Sequence, residues 1–305
     1  MLVTGGCGFI GANLVPRLLE RGATVRVLDN LSRGSRDHLA GLDVELVEGD
    51  IRDADVVPRA LDGFDSVVHL AASGSVVESL EDPFENFDVN ARGTLVLLRA
   101  CAADGVEKFV FASTGGALMG NTPPPVDETT LPWPISPYGA SKLCGEAYCH
   151  AFAGSFGLSA VALRFANAYG PVSAHKKGAV TTFIKRALRG EPLGIYGDGT
   201  ATRDFLYVDD LCDGISAAVD APVEDDVVHL ASGEETSIEE LARLVLELTG
   251  ATDVPIRYEH RRRGEVERTF ATPKRAAELL GFAPSHSLRS GMQKTVEWFR
   301  AHAGG

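Results

Sequence analysis

The sequence predicts an α/β fold, a doubly wound parallel sheet beside a smaller α/β lobe, from three observations. Short β-branched runs alternate with helix-patterned segments through the first half of the chain. A glycine-rich stretch, Thr4-Gly5-Gly6-Cys7-Gly8-Phe9-Ile10-Gly11, joins the first run to the first helical pattern. After about residue 166 the rhythm loosens into longer loops richer in Pro and Gly. Strand–helix–strand alternation requires right-handed crossovers, and these cover both faces of a parallel sheet.

In chain order, strands are expected at 2–4, 24–29, 44–48, 65–70, 108–113 and 159–163, where apolar and β-branched residues concentrate. Helical periods fall at 13–21, 83–103 and 137–156, and in the later part at 238–248 and 273–280. Pro16 conflicts with the first of these helices, because it removes one backbone donor and can kink the chain. The expected division is a nucleotide-binding domain over 1–166, to which segments near 205–231 return, and a substrate lobe over 167–305.

The 305 residues carry 29 Lys and Arg against 42 Asp and Glu, a net charge of −13. An acidic surface repels phosphate backbones, so nucleic acid is not an expected partner. Hydrophobic residues at 45% and charged residues at 23% exclude a largely disordered chain. Five cysteines without a Cys-x-x-Cys pair or a His–Cys cluster read as reduced, mostly buried thiols, and no metal is expected. No apolar run approaches the ~20 residues of a membrane span. The opening Met1-Leu2-Val3-Thr4-Gly5 leaves no room for a leader. The expectation is a cytoplasmic protein.

Gly5, Gly8 and Gly11 have the spacing of a turn that brings backbone close to a pyrophosphate at a helix N-terminus. The next strand ends at Asp29, eighteen residues beyond Gly11. An acidic side chain there can hold a ribose 2′-hydroxyl and repel a 2′-phosphate, which favours NAD over NADP.

With these features the chain resembles the extended short-chain dehydrogenase/reductase family, in particular its NAD-dependent nucleotide-sugar epimerases and dehydratases. The likeness runs essentially end to end through Gly49-Asp50-Ile51-Arg52-Asp53, His69-Leu70-Ala71-Ala72 and Asn86-Phe87-Asp88-Val89-Asn90. It implies a Rossmann-type domain in which Asp50 and Ile51 flank the adenine. Leu70, Ala71 and Ala72 would line the cofactor near its diphosphate and ribose. Phe9, Ile10, Asn30, Ser32, Arg33, Asn90, Ser113, Phe165, Tyr138 and Lys142, the last holding the nicotinamide ribose, complete the implied cofactor contacts, and Ser73 and Ser113 lie on the substrate side.

Ser136-Pro137-Tyr138-Gly139-Ala140-Ser141-Lys142 places a Tyr and a Lys four apart, one turn along one helix face. Such pairs are often a core ring beside a solvated amine. Following a dinucleotide turn, and with a hydroxyl at the end of an upstream strand, they read as a proton-transfer pair. A phenol of ordinary pKa near 10 is a poor base, and a neighbouring ammonium and a positive nicotinamide favour its ionised form. The resemblance assigns the hydroxyl to Thr114, with Ser113 adjacent. Relatives that eliminate water carry an Asp-Glu pair after this residue, whereas this chain has Gly115 and Gly116. The chemistry implied therefore stops at reversible oxidation and reduction of one sugar carbon.

In the second lobe, Asn167, Tyr196, Arg203, Arg262 and Glu265 correspond by resemblance to contacts with the diphosphate, base and ribose of a nucleotide sugar, and Gly115 to the sugar side. Arginine suits phosphate because its planar fork donates two hydrogen bonds. His175-Lys176-Lys177 is a less familiar cationic loop, expected beside the sugar ring, where it would pair with a C6 carboxylate. The glycines at 115 and 116 would leave room for that group. The resulting expectation is an NAD-dependent UDP-sugar 4-epimerase working through a 4-keto sugar and leaning towards UDP-glucuronate and UDP-galacturonate. The alternatives are the UDP-glucose/UDP-galactose pair, a nucleotide-sugar reductase, and a non-catalytic NAD-binding scaffold. The family also implies a homodimer built on helices 83–103 and 137–156.

Overall fold

A computed structural model describes residues 1–261 and 266–302. Its central sheet has seven parallel strands: β1 (Leu2–Thr4), β2 (Arg26–Asp29), β3 (Glu45–Glu48), β4 (Ser66–His69), β5 (Lys108–Thr114), β6 (Ser159–Phe165) and, far later in the chain, β11 (Asp225–Leu230). Their spatial order is β11-β6-β5-β4-β1-β2-β3. The order reverses between β1 and β4, so a crevice opens at the carboxyl ends of those two strands.

Both faces of the sheet are buried, which is why its strands are apolar runs rather than alternating ones. On one face α1 (Phe9–Glu20) packs against α9 (Val208–Asp220), burying Leu14, Val15, Leu18, Leu211 and Ile215 against Val3, Val68, Val110 and Val161. On the other face lie α2 (Val56–Leu61), α5 (Gly93–Asp104) and α7 (Pro137–Phe156), where Leu61, Leu97, Leu98 and Phe152 meet Leu28, Val67, Phe109 and Phe111. Short helices α3 (Val76–Glu81), α4 (Pro83–Phe87) and α6 (Gly116–Met119) fill the loops above the carboxyl ends.

Two helices differ from the sequence expectation. Helix α1 starts at Phe9, four residues earlier than its apolar period, and runs on through Pro16, which has no N–H to give the Ala12 carbonyl. The segment expected as one helix over 83–103 is α4, a π-turn at Asp88–Arg92, and α5. The wider turn brings Asn90 and Ala91 to the interior.

The smaller lobe is built on paired short strands. These are β7 (Asn167–Tyr169) with β10 (Phe205–Tyr207), β8 (Leu193–Tyr196) with β13 (Ile256–Glu259), and β9 (Thr202–Arg203) with β12 (Thr236–Ser237). Helices α8 (Ala179–Leu188), α10 (Ile238–Thr249) and α12 (Leu288–Ala301) enclose a separate core of Phe183, Ile184, Leu241, Val245, Met292 and Val296. Between these parts the chain crosses back to the sheet through α9 and β11, and α11 (Lys274–Leu280) packs on β11. Among the described residues no helix is long and apolar enough to cross a membrane.

Candidate active site

The glycine-rich turn sits at the mouth of the β1–β4 crevice. Gly5 has φ +70°, and a Cβ there would stand 2.7 Å from the Ala71 backbone nitrogen. A Cβ on Gly11 would lie 2.4 Å from the Gly6 Cα. Only glycine lets the turn, the helix and the β4 end close this tightly. Gly8 is the N-cap of helix α1, its own N–H donates to the Gly5 carbonyl, and no side chain caps the N–H groups of the first turn. That is the cradle an anionic diphosphate requires, and the residues present fit a dinucleotide. The Leu70 N–H donates to the Thr4 carbonyl and the Ala71 N–H to the Thr4 hydroxyl, which ties the 70–72 segment to β1.

Asp29 ends β2, and its carboxylate accepts from the backbone N–H groups of Cys7 (2.9 Å) and Leu31 (2.8 Å). It thus fixes the glycine turn from below. Asn30 donates to Asp50, and Ser32 closes on Asn30. Hydrogen bonds from Arg52, reinforced by Asn30, bring the Asp50 carboxyl down to about 2. Ile51 is buried against Gly93. Asn90, 1% exposed, accepts from the Ser73 N–H and donates to the Ser73 carbonyl and the Ser141 hydroxyl, bracing the crevice wall against α7.

Helix α7 carries the proton-transfer candidates. Ser136 caps its N-terminus through the Gly139 N–H, and Pro137 occupies the first turn, where its missing donor costs nothing. The Tyr138 side chain lies beside Thr114 at the end of β5. Burial pushes the Tyr138 phenol up to about 12, and the neighbouring Thr114 hydroxyl works in the opposite direction. Lys142, 3% exposed, donates to the Ala112 carbonyl at 2.7 Å and lies 4.8 Å from the Phe111 ring. Burial lowers it to about 8, against the opposing pull of Cys149 and Glu146.

Ser113 is placed differently from Thr114. It is buried and its hydroxyl donates to Glu146 on α7 at 2.5 Å. Thr114 is therefore the hydroxyl that meets Tyr138. Gly115 is also buried, and a Cβ there would stand 3.3 Å from both the His229 imidazole and the Phe165 carbonyl. A side chain at 115 would therefore meet the β6 and β11 side of the sheet.

The cationic loop makes contacts of its own near the glycine turn. Lys176 stands 4.3 Å from the Phe9 ring and donates to the Ala168 carbonyl. The exposed His175 ring lies 6.1 Å from His38, which itself contacts the Cys7 carbonyl. Lys177 pairs with Glu78 at 3.0 Å, and Glu78 also pairs with Arg33. Phe9 offers Lys176 an aromatic face and Glu78 offers Lys177 a carboxylate. Glu78 had no marker in the sequence: a single acid on a short amphipathic helix looks like any solvated one.

In the second lobe, the exposed Asn167 donates to the Asp204 carbonyl, while Arg203 on β9 donates to the Thr202 carbonyl. Tyr196 ends β8 opposite Glu259. Arg262 and Glu265 lie outside the described residues.

Comparison with known proteins shows the family. Residues 1–231 match the NAD dependent epimerase/dehydratase family. The UDP-glucose 4-epimerase of Mycolicibacterium smegmatis is 38% identical over 98% of both chains. The crystal structure of the Thermotoga maritima UDP-glucose 4-epimerase with UDP-glucose superposes with a TM-score of 0.95 at 39% identity, covering 99% of both chains. The Thermus thermophilus UDP-glucose 4-epimerase, solved with NAD, gives 0.93 at 38% identity over 98% of both. On its fold, its glycine turn and these matches, the chain belongs to the NAD-dependent epimerase/dehydratase family.

Proposed function

We propose that the protein is an NAD-dependent UDP-sugar 4-epimerase acting on a neutral pair, UDP-glucose and UDP-galactose. The observation that carries the reading is Tyr138 set beside Thr114 at the end of β5 with Lys142 one helical turn on. Gly5, Gly8, Phe9, Ile10, Gly11, Asp29, Asn30, Asp50, Ile51 and Leu70–Ala72 would hold the cofactor. NAD held there would supply a positive ring that favours the Tyr138 phenolate and the hydride acceptor and donor for sugar C4. Tyr138 accepts the O4 proton and gives it back, Thr114 hydrogen-bonds O4, and the Lys142 ammonium steadies the ionised phenol. Neither neighbour of Thr114 on the C-terminal side is a carboxylate, so elimination lacks its acid and base.

The preference for a neutral hexose follows from the 175–177 loop. Its cations are engaged at the glycine turn and with Glu78, which removes the reason to expect a hexuronate. By the same reading, residues 1–166 with the returning 205–231 segment hold the cofactor, and the second lobe holds the nucleotide sugar through Asn167, Tyr196 and Arg203. Incubation of the purified protein with UDP-galactose and, separately, with UDP-galacturonate, followed by chromatographic separation, tests the proposal. UDP-glucose should form without added NAD, and at a higher kcat/KM than the uronate reaction. Faster uronate conversion would reverse the substrate choice, and no conversion of either would overturn the function.

A further inference from the structure

Ser113, Arg164 and His229 stand side by side across β5, β6 and β11, beneath α7. Glu146 reaches down from α7 into this row. Its Oε2 accepts from Arg164 Nη2 at 2.8 Å, and its Oε1 accepts from Arg164 Nε at 3.0 Å and from Ser113 Oγ at 2.5 Å. Both side chains of the ion pair are 5% exposed. An ion pair buried this deeply is no better for stability than a well-packed apolar pair, because desolvation offsets the attraction. Its presence asks for another role.

The position of Glu146 supplies one. On α7 it follows Lys142 by one turn and Tyr138 by two, so the three share a face. The strand it grips through Ser113 is the one that ends in Thr114. We propose that Glu146, held by Arg164 and Ser113, is a positioning residue for the proton transfer: it fixes Tyr138 over Thr114 and keeps the Lys142 side chain charged. The proposal rests on the roles given to Lys142 and Tyr138 above.

The other groups around Lys142 do not provide that charge. From β4 comes the His69 imidazole, which burial lowers to about 3 and keeps neutral between Thr4 and Thr94. From β5 come the Phe111 ring and the Ala112 carbonyl. On α7 itself the Cys149 thiol is pushed well up by burial, and so stays protonated. Glu146, with Arg164 behind it, brings the formal negative charge.

The test is Glu146→Gln in the NAD-loaded protein, read by kcat, KM and the pH titration of Lys142 in lysine-labelled protein by its 13Cε shift. We expect kcat to fall about tenfold or more with KM within about twofold. The Lys142 titration and the alkaline limb of kcat should move down together by about half a pH unit or more. Glu146→Asp should restore the limb. Should Glu146→Gln fail to fold, the paired Glu146→Met/Arg164→Met variant keeps the packing without either charge, and should show a lowered titration of smaller size, because the opposing charge of Arg164 leaves with that of Glu146. An unshifted Lys142 titration in either folded variant would overturn the proposal. Because that titration needs no turnover, it decides the matter even if the unmodified protein proves not to be a 4-epimerase.

Discussion

Tyr138 begins as a poor base, and everything around it bears on how far that can be changed. With its phenol pushed up to about 12 by burial, ionisation near neutral pH depends on nearby positive charge. Tyr138→Phe is expected to cut kcat by roughly 10²–10⁴-fold while cofactor and UDP-sugar still bind, as measured by calorimetry beside turnover. Thr114→Ala should cost less, and Ser113→Ala should leave O4 chemistry to Thr114, because the Ser113 hydroxyl is committed to Glu146. Asp29 has two duties that substitution separates. Asp29→Ala removes the acceptor for Cys7 and Leu31 as well as the negative charge, and should weaken NAD and relax discrimination against NADP. Asp29→Asn keeps an acceptor for the turn, and should relax discrimination with a smaller loss of NAD affinity. Equal preference for NADP in the unmodified protein would contradict the role given to Asp29.

At the scale of the element, helix α7 is the instrument of the site, and its range was legible from residue 137 to 156. The Ser-Pro start, the small residues and the terminal Gly157 each have a local physical cause. Ser136→Ala removes the cap and should destabilise the protein by about 1 kcal/mol in denaturant unfolding. It should also lower kcat more than KM, since the frayed turn carries Tyr138. Other elements were hidden for reasons that can be named. The start of α1 lies in glycines that read as a turn, and the π-turn at Asp88–Arg92 has no compositional mark. β11 opens on Asp225-Asp226, so its short apolar end was not legible as a strand, although the segment near 205–231 was expected to return to the first domain. The direction of the 175–177 loop depends on Phe9 and Glu78, both distant in sequence, and charge alone could not supply it.

For the whole molecule, exposed aromatic residues and buried imidazoles set two expectations. Phe84 is 85% exposed and Phe87 55%, on α4 beside α7, which carries the half-exposed Tyr148. We propose that these helices form a homodimer interface, and that Phe84→Glu with Phe87→Glu yields a monomer by light scattering. His69 and His229 are both buried, and burial lowers each from 6.5 to about 3. Between those values the unfolded chain binds protons that the folded one refuses, so stability should fall as pH drops from 6.5 towards 3. The slope is a little over 1 kcal/mol per pH unit for each group. His229→Gln should flatten the decline of the thermal midpoint across that window, and an unchanged slope would contradict it. The central claim, that one bound NAD oxidises and re-reduces the same carbon of one sugar with Tyr138 moving the proton, is tested most directly with UDP-galactose carrying deuterium at C4. The account predicts UDP-glucose that retains the C4 deuterium, formed without added NAD and lost in Tyr138→Phe. Product that has exchanged its deuterium with water, or undiminished conversion by Tyr138→Phe, would contradict it.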